Sequence, residues 1–222
     1  MTDASLALGC SALLVSALAA AVLVRRMGLP STHVRDLLHI GAGVWVLTWP
    51  WWQSVALPVA ITALVAIGTA LVPWAATGWS AAARLHAAVT GGDERWGGLA
   101  FYTASYAVLT VVGLTGDPLP AAAALLALSL GDGVGGAVGR RFGRWHYRAP
   151  GGKRKSLEGS LTVAAMAGAG ALIAGEMLGT GVTLELAAIA GLVAAGAEAA
   201  APRGTDNAVV PAAVWAALTA LA

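Results

Sequence analysis

The chain has 222 residues, 58% of them hydrophobic and 11% charged, with a formal net charge of +2. A soluble domain carries about 25% charged residues, so these proportions exclude a soluble globular protein and point to a polytopic membrane protein. Backbone polar groups have no water to bond inside lipid, which makes the expected fold class all-α, a transmembrane helical bundle. At about 20 apolar residues per span, residues 1–222 hold about eight spans, with seven as the alternative count, in a single integral membrane domain.

Apolar runs predict helices near 5–24, 37–50, 54–74, 97–115, 119–138, 159–178, 182–200 and 207–222. Met1 to Ser5 carries Asp3 and no basic residue, so the first run lacks the positive region of a secretory signal and is expected to stay as a span. The single cysteine, Cys10, lies inside that run; it excludes an internal disulfide and reads as a small buried residue. The second run is short and ends at Trp49-Pro50-Trp51-Trp52, which reads as an interfacial aromatic anchor and turn.

With the amino terminus facing away from the cytoplasm, the cytoplasmic connections are 25–36, 75–96, 139–158 and 201–206. All 13 Lys and Arg residues fall in these connections or within a turn of them, a positive-inside segregation. Every polar cluster of interest then lies on the cytoplasmic side.

Five clusters carry chemistry. Arg35 and His39 sit a turn apart after the helix start at Pro30-Ser31; a snorkelling arginine beside a packed histidine is the structural alternative. Arg84 and His86 lie on a short amphipathic stretch suited to the membrane surface. Beyond them, Gly91-Gly92-Asp93-Glu94-Arg95-Trp96-Gly97-Gly98 is either a polar turn or a site contributing Glu94. In Leu130-Gly131-Asp132-Gly133-Val134-Gly135-Gly136-Ala137-Val138-Gly139, a carboxylate shares a face with Gly135, Gly136 and Gly139. A charge embedded in a span costs about 2.5–3.5 kcal/mol near the helix centre. A cationic partner is therefore expected for Asp132: Arg140, Arg141 or a bound Mg²⁺. A glycine packing face with an ion-paired aspartate is the alternative.

The connection at 139–158 leads into the helix that begins near Gly159-Ser160, and residues 139–160 hold seven of the 13 basic residues. Lys153, Lys155 and Ser156, with glycines and free amides at a helix start, suit an anion; the spacing is not that of a Walker A loop. A loop that only fixes topology or touches anionic lipid competes with triphosphate binding. The last cluster is Glu198 with Asp206 and Asn207. Their oxygens beside Asp132 suit Mg²⁺, which takes few carboxylates and keeps substrate phosphates and waters. Thr205 or Asp206 can also simply cap the last helix.

These clusters, in this order, resemble the phytol kinase and dolichol kinase family, relatives of the phosphatidate cytidylyltransferases. The resemblance rests on Arg35-Asp36-Leu37-Leu38-His39, Gly97-Gly98 before Phe101, Gly131-Asp132-Gly133 through Gly143, Lys155-Ser156-Leu157-Glu158-Gly159-Ser160, and Glu198 with Asp206-Asn207 and Pro211. It departs from the family pattern at Asp36, where a second basic residue is common, and at Gly135-Gly136. It implies a membrane enzyme that moves the γ-phosphoryl group of a nucleoside triphosphate, often CTP, to a lipid alcohol such as phytol, geranylgeraniol or a polyprenol. On that footing Asp132, His39 and Lys155 are the catalytic candidates. Arg140, Arg141, Lys153, Lys155, Ser156, Gly159 and Ser160 are expected around the nucleotide, and Asp132, Glu198, Asp206 and Asn207 around Mg²⁺. Arg35 and Glu94 are further candidates. Membrane lipids are partners and nucleic acid is not. A CDP-lipid synthase and an ion-coupled transporter are the alternatives.

Overall fold

The computed structural model describes residues 2–90, 96–150, 154–202 and 204–221. Helix α1 (Asp3–Arg26) is followed by α2 (Ser31–Leu47), a 3₁₀ turn at Trp49–Trp51, α3 (Ala56–Ala75), α4 (Ser80–Thr90) and α5 (Trp96–Thr115). Next comes a continuous rod, α6 (Pro118–Leu126), a π-helical stretch at Ala127–Asp132, and α7 (Gly133–Phe142). An antiparallel hairpin of β1 (His146–Arg148) and β2 (Arg154–Ser156) leads to α8 (Leu157–Leu178), α9 (Leu184–Ala200) and α10 (Asp206–Leu221).

The all-α membrane architecture expected from composition holds, with the small hairpin lying outside the apolar segments. Among the described residues five helical segments are long and apolar enough to cross a membrane: Asp3–Arg26, Ala56–Ala75, Trp96–Thr115, Pro118–Phe142 and Leu157–Leu178. The other three predicted runs became α2 and α9, of 17 residues each, and α10, of 16. At 1.5 Å per residue these reach only about 25 Å, short of a hydrocarbon core of about 30 Å. Five segments are therefore full-length candidate spans by length and composition.

The rod is the axis of the bundle. Of its most apolar stretch 67% is buried, against 6% for α1 and 11% for α3, which lie at the periphery. Asp117 caps the rod by accepting from the Leu119 amide at 3.0 Å, and Pro118 takes the first helical position. Ala121 to Ala124 are fully buried, and α2, α5, α8 and α10 pack around the rod. Small side chains on every face let neighbouring helices approach closely.

Two local features shape the end of the rod. The π stretch, stapled by Ser129 Oγ donating to Leu126 O at 3.3 Å, ends at Asp132; such insertions recur at functional sites. Beyond it, Gly131, Gly135 and Gly139 form the glycine stripe that faces α8. A Cβ on Gly135 would stand 3.2 Å from the Gly159 carbonyl oxygen, and one on Gly139 would stand 3.3 Å from the Gly159 Cα. The expectation that Asp132 shares this face is corrected: the stripe repeats every four residues from Gly131, so Asp132 lies about 100° around the helix from it, toward α2. Trp49 is corrected too. It is 3% exposed and packs over Gly113 and against the core, while Trp51 remains exposed.

Gly135→Val should lower stability by about 1–3 kcal/mol through overpacking, read as a fall in the thermal midpoint of the folded monomer in detergent. Gly41→Ala, whose added Cβ meets nothing within 4 Å, should hold or raise the midpoint, alanine being the better residue inside a helix.

Candidate active site

Pro30, with φ −56°, sets the entry to α2 at Ser31, as the sequence predicts, and places Arg35 and His39 a turn apart. His39 is 3% exposed. Its Nδ1 lies 2.9 Å from the Arg35 carbonyl oxygen. A carbonyl only accepts, so Nδ1 carries the proton and Nε2 of the neutral ring holds the lone pair. Nε2 faces Asp132 Oδ2 at 3.9 Å. Tyr102 of α5 backs the imidazole, with ring centroids 4.1 Å apart, and its hydroxyl donates to the His39 carbonyl at 2.9 Å. The Asp132 side chain retains 26% exposure against 4% for His39, so the carboxylate is the open edge of the pair.

Helix α10 enters the same region through Asn207, which is 2% exposed. Its Nδ2 donates to the Gly98 carbonyl at 2.7 Å, and its own backbone carbonyl accepts from Ser105 Oγ at 2.8 Å. A Cβ on Gly98 would lie 3.5 Å from Asn207 Nδ2 and 3.8 Å from an Arg35 guanidinium nitrogen, so the bare glycine admits both. Asn207 and His39 are close enough to interact, yet Asn207 Oδ1 and His39 Nε2 are both buried without a hydrogen-bond partner among the described residues. One of these atoms, His39 Nε2, faces the Asp132 carboxylate.

The hairpin supplies the facing charge. Lys155 Nζ forms an ion pair with the Glu198 carboxylate of α9 and donates to the Glu198 carbonyl at 3.1 Å. Lys155, Arg35 and Asp206 all lie within electrostatic reach of Asp132. Lysine and arginine offset the carboxylate, and Asp206 opposes them.

Asp132, His39, Arg35, Lys155, Glu198, Asp206 and Asn207 are thus gathered at one end of the bundle. Arg140 and Arg141 are not. Arg140 pairs with Asp36 of α2, and Arg141 lies exposed with its guanidinium 5.6 Å from the Phe142 ring centroid. The expectation that either lies beside Asp132 is corrected; the side chain that faces Asp132 is His39, because α2 packs directly on the π stretch and α7. Ser156 caps α8 by accepting from the Gly159 amide at 3.1 Å, and Gly159 is packed against α7. Ser160 Oγ is 2.7 Å from the Tyr147 hydroxyl. Lys153 and Glu94 lie outside the described residues.

The proposed Mg²⁺ ligands do not form a ready-made cage. No group of three or more His, Cys, Asp or Glu side chains stands at metal-holding range among the described residues. Glu198 is engaged by Lys155, and Asn207 has donated its amide. The part-open Asp132 carboxylate, with Asp206 in reach, fits the other mode of Mg²⁺ binding, in which one or two carboxylates are joined by substrate phosphates.

Sequence reasoning missed Tyr102. It singled out the neighbouring Phe101, which is 46% exposed, whereas Tyr102, one turn after Gly98, is the residue that reaches His39. Helical spacing from Gly98 was the available signal.

No family model and no solved structure matches the chain. A curated relative, the phytol kinase of Synechocystis sp., is 36% identical over 200 residues, covering 86% of this chain and 80% of that protein. At that identity and coverage, with the motif residues of the sequence drawn together at one end of the bundle, the chain belongs to the phytol kinase and polyprenol kinase family.

Proposed function

We propose that the protein is a lipid-alcohol kinase that transfers the γ-phosphoryl group of CTP to an isoprenoid alcohol such as phytol, geranylgeraniol or a polyprenol. The observation that carries this reading is the pairing of an embedded, part-open carboxylate, Asp132, with an unpartnered imidazole nitrogen on one side and the Lys155–Glu198 pair on the other. A hydroxyl needs a proton acceptor, and a polyphosphate needs fixed positive charge. Phosphoryl transfer asks little covalent chemistry of the protein beyond positioning and charge neutralisation.

His39 Nε2 takes the proton of the alcohol as its oxygen bonds to the γ-phosphorus and the β–γ bridging bond breaks, the electron pair leaving with the nucleoside diphosphate. Arg35 and Lys155 hold the outer phosphates, Lys155 being oriented by Glu198. Lys153, Arg140 and Arg141 add positive field from the connecting segment. Asp132, helped by Asp206, would hold Mg²⁺, which when bound neutralises charge on the transferring phosphoryl group. The acceptor enters laterally between helices with its hydroxyl at headgroup depth. The site faces the cytoplasm and the amino terminus the other side, in line with the positive-inside segregation.

Asp132→Asn should abolish turnover while leaving the protein folded; near-normal turnover removes Asp132 from the mechanism. His39→Gln should lower kcat by about 10²–10⁴, the usual span for a general base, in steady-state assays at saturating substrate. Lys155→Ala should raise the apparent KM for nucleotide about tenfold or more with a smaller change in the KM for alcohol, an ionic hydrogen bond being worth about 1.5–3 kcal/mol. Incubation with CTP labelled at the γ- or the α-position tests the reaction class. Label from γ alone in the lipid is the expected result; label from α would mark a CDP-lipid synthase, and label from neither would leave no phosphoryl transfer.

A further inference from the structure

We propose that the outer face of the β1–β2 hairpin is a binding site for the phosphate of an anionic membrane lipid, held between Arg148 and Arg154. These two residues are direct cross-strand partners, an arrangement that brings Cβ atoms to about 5 Å and destabilises a strand pair when the charges are alike. Both are exposed, and neither meets a carboxylate among the described residues. The hairpin thus holds two like charges together with no described counter-charge between them. A phosphate accepts paired hydrogen bonds from guanidinium groups and removes that repulsion.

Side-chain alternation separates this face from the active site. The neighbouring cross-strand pair, Tyr147 and Lys155, turns the other way and is tied to the bundle through Ser160 and Glu198. Arg148 and Arg154 have no such attachment among the described residues. A lipid rather than a free anion is favoured by where the hairpin stands. It joins two segments long and apolar enough to cross a membrane, Pro118–Phe142 and Leu157–Leu178, which puts it within a few residues of the boundary such spans would have. Its base exposes Phe142 at 59%, Trp145 at 71% and Leu157 at 41%, beside exposed Arg141 and Arg144. Aromatic side chains with basic neighbours settle at headgroup level, and basic segments flanking a span attract anionic lipid. A phosphate on the outer face would anchor the hairpin at headgroup depth, where the lipid hydroxyl arrives. Only this last consequence rests on the kinase reading.

The test uses the full chain in detergent micelles, titrated with phosphatidylglycerol or phosphatidylcholine, with bound lipid counted by native mass spectrometry in the absence of nucleotide. The wild-type protein should prefer phosphatidylglycerol. R148Q/R154Q should bind it about 30-fold more weakly, two surface charges' worth, with phosphatidylcholine binding unchanged. R148K/R154K should recover most of the loss, and the KM for nucleotide should stay within about twofold of wild type in both variants. Unchanged phosphatidylglycerol binding in R148Q/R154Q overturns the proposal. So does its displacement by inorganic phosphate, which would mark a free-anion site, and so does a raised nucleotide KM with lipid binding intact, which would give the arginines to the triphosphate. Because binding is read without turnover, a wild-type protein that transferred no phosphoryl group would sink the kinase reading and leave this result standing.

Discussion

The embedded carboxylate of Asp132 constrains the rest of the bundle. It sits in the most enclosed helical segment of the molecule, among residues with almost no capacity to solvate a charge. A carboxylate there is tolerable only with compensating groups at hand. The protein meets this with charge from Arg35 and Lys155 within electrostatic reach, while the neutral imidazole of His39 stands 3.9 Å away. None of these is a close, fully committed ion pair with Asp132. The strong pairs are formed elsewhere, between Lys155 and Glu198 and between Arg140 and Asp36. Asp132 is therefore neutralised enough to be buried while a quarter of its side chain remains open, a compromise suited to a ligand rather than to stability alone.

Backbone geometry makes that compromise possible. The π stretch ends at Asp132, and the glycines beyond it let α7 lie almost against the backbone of α8. Close approach sets the ends of α7 and α8 side by side where the β1–β2 pair is anchored. Register does the remaining work: Tyr147 and Lys155 are paired across the strands, so anchoring Tyr147 to Ser160 fixes the height of Lys155 over Glu198. A bulkier residue at Gly135 or Gly139 would push α8 away and carry the lysine with it. Packing at the seam and charge placement at the site are thus one mechanical problem.

Much of this was legible in the amino-acid sequence, and the exceptions share a cause. Composition and hydropathy disclose membrane helices because lipid imposes one rule on every residue in a span. Asp132 and His39 stand out because polar groups are rare against that background. Partner choice cannot be read from rarity. Arg140 lies eight residues from Asp132 along one helix, yet it turns to Asp36, more than a hundred residues away in the chain, because α2 crosses there. Glu198 shows the same limit: isolated among alanines in sequence, it is the counter-ion of Lys155 in space. Tyr102 escaped because an aromatic residue in an apolar helix is ordinary until its neighbours are known.

Asp36 shows how packing at one position sets the charge beside the site. A second basic residue beside Arg35 would face Arg140 across the α2–α7 contact, and like charges there would repel. An aspartate at that position instead draws Arg140 into an ion pair, closing α2 against α7 on the outer side of the site. That contact holds His39 over Asp132 from one direction, while the Tyr102 hydroxyl holds the His39 backbone from the other. It also keeps the Arg140 guanidinium from collapsing onto Asp132, where a bidentate pair would satisfy the carboxylate and close its open edge. One acidic residue therefore does two things: it secures the helix that carries the histidine, and it keeps Arg140 paired away from Asp132.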